Sequence, residues 1–248
     1  VERAARCLDA LRDRHWDGAR LRSVARGDRV RDEDFLDDYA CVLRGALELL
    51  RARWDDEHAA FARELARVAL TRFLDPETGA FAFTAHDHET LIHRPRGFLD
   101  DALPSGNALM ARSLLSLGHL YAEPVWLERA EGVLRAGTGT ASRAPAACSA
   151  LLDAAAAAAD PPPLVVLHGP ADALGSWVGP LARRIDLELF AIPNDRAGMG
   201  PEARGRPTNE RSAAARPPFL PRLQSREDRE DREDREDRED REGMIALV

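Results

Sequence analysis

Two pairs of adjacent carboxylates stand out along the 248 residues, Asp37-Asp38 and Asp100-Asp101, each at the edge of an apolar stretch with helical period. The second pair opens LDDALPSGNALMARSL (residues 99–114), which adds Ser105 and Asn107; the first is followed directly by Tyr39. Paired carboxylates can act as acid and base on opposite sides of a scissile bond when their surroundings push their proton affinities apart. Hydroxyl and amide groups supply the hydrogen bonds that a polyhydroxylated ligand needs. On this chemistry Asp38 and Asp101 are candidate catalytic residues. Asp37, Tyr39, Asp100, Ser105 and Asn107 are candidate substrate contacts, with Trp16 or Phe98 as a stacking surface. The same residue types also cap helices, because Ser and Asn oxygens accept from free backbone N–H groups and aspartates suit the positive helix end. What separates the two readings is whether these helix ends face a common hollow.

Other chemistry-bearing stretches are weaker. HDHE (86–89) has the His-x-His pattern of a zinc site, but it falls in a turn-rich loop with no third ligand at a recognisable spacing, so no metal is expected. His93 fits a strand face. HGP (168–170) follows a strand as an oxyanion loop would, yet the G-x-S-x-G nucleophile elbow is missing and GSWVG (175–179) has the wrong spacing. A hydrolase of that kind is excluded, and no cofactor motif is present.

The elements that must hold these residues are mostly helical. Leu36, Tyr39, Ala40, Leu43, Leu47 and Leu50 recur at helical spacing, and so do Phe61, Leu65, Val68 and Arg72 after a short link at 54–56. So short a link favours an antiparallel hairpin. LDPETGAFAFT (74–84) reads as turns followed by a strand through Phe81 and Phe83, with 90–94 as the return strand. A helix is expected over 105–121, another ending near Gly137, and one more over 144–159. RHWDGARLR and RFLDPETGAFAF form a faint repeat, with Asp17 and Asp75 each starting a turn after a helix. Repeated hairpins with turn-and-strand excursions suggest part of an α/α toroid over residues 1–160, in which two concentric rings of helices surround a funnel. The 105–121 helix, with two apolar stripes and Arg112 as its sole charge, suits the inner ring; the helix bearing Arg63, Glu64 and Arg67 suits the outer one. Part of a ring leaves its flanks uncovered, so association through an exposed edge is expected. PPPLVVLHG then starts a small β-α-β element over 161–195.

Composition sets the remaining bounds. All 35 basic residues are arginine. The run at 226–242 holds six arginines and eleven acids, which leaves a near-neutral body and no nucleic-acid-binding face. No apolar run approaches the roughly 18–20 residues of a membrane span. Cys7, Cys41 and Cys148 lack any framework spacing and read as small buried residues in a reducing, cytoplasmic compartment. Residues 196–248, rich in Arg, Pro and Gly and then built on the RED repeat, are expected to be disordered, low-complexity chain.

FLDDYACVLRGALELL, RFLDPETGAFAFT, LIHRPR, DDALPSGNALMARSLLSL, RAPAACSALLDA and LVVLHG occur here in order. That series resembles the spermatogenesis-associated, thioredoxin-domain-containing protein family over roughly residues 1–195, with PSGN its most specific element. The resemblance implies a parent protein with an N-terminal thioredoxin-like domain and an α/α toroid similar to six-hairpin glycosidases and sugar epimerases. This chain would be the last part of that toroid plus a terminal α/β element. Where the family usually has Asp-Gly-Ala, this chain has Asp100-Asp101-Ala102, and Gly97 stands where an acidic or polar residue is usual. The implied role is carbohydrate-related, with a small sugar or polyol as ligand and no activity for the fragment alone. A helical scaffold or partner-binding domain is the alternative.

Overall fold

The computed structural model describes residues 1–26, 29–31, 34–88, 94–184 and 187–193. All of them belong to one compact unit, Val1–Ser212; the second unit, Ala213–Val248, lies outside the described residues, as does the whole segment for which disorder was expected. The elements in chain order are α1 (Glu2–His15), β1 (Val24–Arg26), β2 (Arg29–Arg31), α2 (Leu36–Ala52), α3 (Asp56–Arg72), α4 (Gly106–Tyr121), α5 (Pro124–Arg143), α6 (Ser149–Ala159), β3 (Leu164–Gly169), α7 (Ala171–Leu181) and β4 (Glu188–Pro193). The chain is mainly α-helical, a partial α/α toroid with a short β-hairpin and a small β-α-β element.

Helices α2, α4 and α6 lie side by side, and α3 and α5 return between them. The three starts gather at one end. The Asp100 carboxylate accepts from Ser105 N (3.0 Å) at the head of α4 and from Ala150 N (2.9 Å) and Ser149 Oγ (2.8 Å) at the head of α6. Asp37, in the first turn of α2, reaches the head of α4 so closely that a Cβ on Gly106 would overlap its Oδ1. One row of parallel inner helices with antiparallel returns behind it is the toroid arrangement. The core follows from that row. Tyr39, Leu43, Leu47 and Leu50 of α2 and Met110, Leu114 and Leu117 of α4 are fully buried. Asp55 caps α3 by accepting from Glu57 N and His58 N, and Ser105 caps α4 by accepting from Ala108 N.

The Asp17 and Asp75 turns are alike in detail. Trp16 bridges Leu21 across one and Leu74 bridges Phe81 across the other. Asp17 Oδ1 accepts from Ala19 N and Arg20 N, while Asp75 Oδ1 accepts from Glu77 N and its Oδ2 from Thr78 Oγ1. Gly79 takes a left-handed φ of 74° and meets the Gly132 backbone of α5, where a side chain would be both strained and crowded.

Several local expectations change. Phe81 and Thr84 make isolated bridges, to Leu74 and Phe35, in place of the strand expected through Phe83; of its return partner at 90–94 only Arg94 is described. The hairpin that does form is β1–β2, antiparallel with Val24 opposite Arg31. Helix α5 does not stop at Gly137 but runs to Arg143. Gly137 is a packing glycine: a Cβ there would lie 2.5 Å from Leu151 and 2.8 Å from Phe98. The helix expected from 144 begins instead with a 3-10 turn, Pro145–Ala147, before α6. Of the three cysteines only Cys148 is buried; Cys7 and Cys41 are exposed.

The β-α-β element forms with β3 and β4 parallel, Leu164 opposite Glu188. It is fastened to the helices by Arg112–Glu188 (2.6 Å), by Arg51 Nη2 donating to Leu187 O (3.1 Å), and by Trp54 edge-on to Phe190 (6.1 Å). Among the described residues no helix is long and apolar enough to cross a membrane.

Candidate functional site

Of the sequence-derived site residues, Asp37, Asp100 and Ser105 lie at the neighbouring heads of α2 and α4, and most of the set is occupied in holding the fold together. Tyr39 is wholly buried; its hydroxyl accepts from Leu21 N (2.7 Å) and donates to Asp34 Oδ2 (3.2 Å), and its ring packs on Phe73 (5.1 Å). Burial raises its pKa far above the ordinary tyrosine value. The substrate-contact role expected for Tyr39 is therefore corrected, because both sides of the hydroxyl are taken by the fold. Asn107, 1% exposed, acts as a piece of strand: its Oδ1 accepts from Phe81 N (2.8 Å), and its Nδ2 donates to Phe81 O (2.9 Å) and Gly97 O (3.1 Å). Ser105 Oγ donates to Gly97 O (3.0 Å) besides capping α4. Asp100 bridges the two helix heads described above. Burial disfavours its charge, but the N–H groups of Ala150 and Ser105 and the Ser149 hydroxyl outweigh that and hold its pKa below the usual range. Asn107, Ser105 and Asp100 likewise direct these hydrogen bonds into the fold.

Three carboxylates remain. Asp38 is half-buried and accepts from Ser23 Oγ at 2.5 Å. Asp37, also half-buried, lies against Gly106, and no hydrogen-bond donor reaches it among the described residues. Burial first and the neighbouring Asp38 second raise its pKa. Asp101 is exposed, on a bend where its backbone N–H donates to Leu103 O (3.0 Å). Of the two stacking candidates, Trp16 packs edge-on against Phe61 (5.7 Å), and Phe98 is buried against Gly137.

The open space lies farther along the helices. A cleft of about 330 Å³ is lined by Arg44 of α2, Ala108, Leu109 and Arg112 of α4, Ser149, Ala150 and Asp153 of α6, and Pro104. None of its lining comes from α3 or α5, so it lies on the inner side of the row. Asp37, Cys41, Arg44 and Glu48 follow at helical spacing along one face of α2, which makes that inner wall polar. Sequence reasoning missed this cleft. The available signal was the placement of Arg112 and Arg44 on helices that are otherwise apolar on the faces they turn to the core. A second cleft of about 300 Å³, between the 74–79 turn and α5, contains none of the expected site residues. In the HDHE loop, His86 Nε2 bonds Leu74 O (3.0 Å) and Asp87 pairs with Arg20 (2.6 Å); no group of metal ligands occurs among the described residues. Glu89 and His93 lie outside them. Gly175 and Gly179 of GSWVG are part of α7.

No family model matches the chain. It is 29% identical to spermatogenesis-associated protein 20 of Rattus norvegicus over 140 residues, covering 56% of this chain and 18% of the relative. It is 32% identical to spermatogenesis-associated protein 20 of Mus musculus over 114 residues, covering 46% of this chain and 14% of the relative. The chain thus spans less than a fifth of the length of the curated relatives it matches. Among solved structures, a GH76 α-mannanase of Bacteroides thetaiotaomicron aligns with a TM-score of 0.43 at 10% identity, over 54% of this chain and 37% of that one.

Proposed function

We propose that this chain is an arc of a larger α/α toroid whose inner wall binds a small sugar or polyol, and that the arc alone has no catalytic activity. The observation that carries the reading is the cleft between α2, α4 and α6, just beyond their gathered N-termini. It offers guanidinium and carboxylate groups from facing helices above an apolar floor of Ala108, Leu109 and Pro104. Hydroxyl-rich rings present that combination, with polar edges and a less polar face. The inactivity follows from the carboxylates. Asp37 and Asp38 are half-buried side by side, burial and Asp38 raising the pKa of Asp37, whereas Asp101 stands in solvent and lines neither cleft. In a closed ring the Asp37–Asp38 pair and Asp101 would be the groups available for acid–base work. The absence of nucleic-acid or membrane partners, and a reducing cytoplasmic setting for the three free cysteines, belong to the same reading.

A specific observation favours a second reading, a helical scaffold that associates through its open edge: Tyr39, Asp100, Ser105 and Asn107 all direct their hydrogen bonds within the fold. Saturation-transfer NMR of the chain with a panel of neutral and charged monosaccharides and polyols decides between them. Binding by at least one sugar, abolished by the cleft-filling Leu109→Trp, is the expected result. Silence across the panel leaves the scaffold. Turnover of aryl glycosides by the isolated chain would overturn the claim of inactivity.

A further inference from the structure

We propose that the cleft between α2, α4 and α6 selects a sugar that carries an acidic group, a carboxylate or a phosphate; this rests on the sugar-binding reading above. Two guanidinium groups face the cleft from adjacent helices. Arg112 is held rigidly: its Nη2 pairs with Glu188 (2.6 Å), and its Nη1 donates to Ser116 Oγ (3.1 Å). Glu188 is itself only 5% exposed and reaches Ser116 as well, so its charge is taken up in clamping Arg112 from behind. Arg44 is different. Its side chain is largely buried, and among the described residues the one hydrogen-bond acceptor it has is Glu48, one helical turn further along α2. Burial makes its positive charge unfavourable, Glu48 opposes that, and Arg112 adds to it.

The cleft is therefore lined by one guanidinium clamped from behind and one tied only to Glu48 among the described residues, the two repelling each other. The acid on the opposite wall, Asp153, is 3.7 Å from Arg112 Nε, but with 74% of its side chain exposed it can turn to solvent. An anionic oxygen between Arg44 and Arg112 would relieve the repulsion and accept charge-assisted hydrogen bonds in the fork geometry that guanidinium favours. The apolar floor of Leu109 and Pro104 would take the ring face.

Isothermal titration of the chain with D-glucose, D-glucuronate, glucose 6-phosphate and inorganic phosphate tests this. Glucuronate or glucose 6-phosphate should bind about tenfold or more tighter than glucose, the worth of one charge-assisted contact. That advantage should shrink as salt is raised, while glucose binding stays level. Arg44→Gln should abolish the advantage of the acidic sugars over glucose, Arg44→Lys should keep part of it, and Asp153→Asn should increase it. A thermal melt verifies that each variant is folded, and the salt dependence of the unmodified chain remains a decisive measurement even where a variant is not. Equal affinity for glucose and both acidic sugars overturns the proposal and leaves the sugar reading standing. Phosphate binding as tightly as glucose 6-phosphate also overturns it, reducing the cleft to a simple anion site. No binding by glucose or either acidic sugar overturns both.

Discussion

Helix α4 buries twelve of its sixteen residues and α6 two of its eleven, although the two run side by side and start at the same carboxylate. Both are apolar by composition: α4 is GNALMARSLLSLGHLY and α6 is SALLDAAAAAA. The difference is position in the row. Helix α4 has α2 on one flank, α6 on the other and α5 behind, so almost every direction around its axis meets a neighbour. Helix α6 meets α4 and α5 but has no further inner helix beside it among the described residues, and Leu152 stays 44% exposed. Apolar composition in a helix thus does not imply burial; burial depends on how many flanks are filled. Leu99 and Leu103, on the segment leading into α4, are exposed too, at 53% and 63%. The uncovered apolar surface is where an isolated arc of a ring would be expected to associate.

That contrast can be broken by mutation, starting at α4. Leu114→Ala removes a side chain with no exposed surface from the middle of the row. Urea unfolding should show a loss of about 2–5 kcal/mol, the usual range for a core leucine cavity. Asn107→Ala comes next. It strips Phe81 N and O of their partner in a buried place, so a loss of about 2–3 kcal/mol is expected. It should also expose the 74–84 segment to faster amide exchange than Leu114→Ala does, because Asn107 is what ties that segment to α4.

The carboxylates shared by the helix heads sharpen the comparison through pH. Asp100 has a folded pKa held below its unfolded value, so its stabilisation is present above the unfolded pKa near 3.9 and is lost as pH falls through the folded one. Asp100→Asn should cost about 1–2 kcal/mol at pH 7 by weakening the link between α4 and α6, and the difference from the unmodified chain should vanish in strong acid. Asp37 has the opposite sign. Its folded pKa is raised, so the folded state binds the proton more tightly, and stability is lost as pH rises from the unfolded pKa through the folded one. Asp37→Asn should therefore leave stability unchanged or raise it by roughly 0.5 kcal/mol at pH 7, with the gain disappearing below about pH 4. Two aspartates at one end of one helix row would then give opposite pH slopes in thermal melts. The smallest effect is expected on the open flank: Leu152→Ala should change stability by less than about 0.5 kcal/mol. A loss comparable to that of Leu114→Ala would mean that the α6 flank is covered in solution.

Much of this architecture was legible in the residues. The spans of α2, α3 and α4 follow from apolar repeats, and the α4 start from Ser105, because helix period and capping are settled within a few residues of chain. The β-α-β order and the likeness between the Asp17 and Asp75 turns were legible for the same local reason. What each polar side chain does was not. Tyr39 and Asn107 find their partners at Leu21 and Phe81, 18 and 26 residues away in sequence, and neither periodicity nor spacing carries that information. Gly137 reads locally as a helix stop and becomes a close contact only once Leu151 and Phe98 arrive. The cleft on the inner wall requires three helices to be placed at once. Sequence by itself determined the spans of α2, α3 and α4, because apolar period and capping act within single turns of backbone. Tertiary packing alone decided which side chains were left over for a ligand, because burial and hydrogen-bond pairing are properties of neighbours distant in the chain.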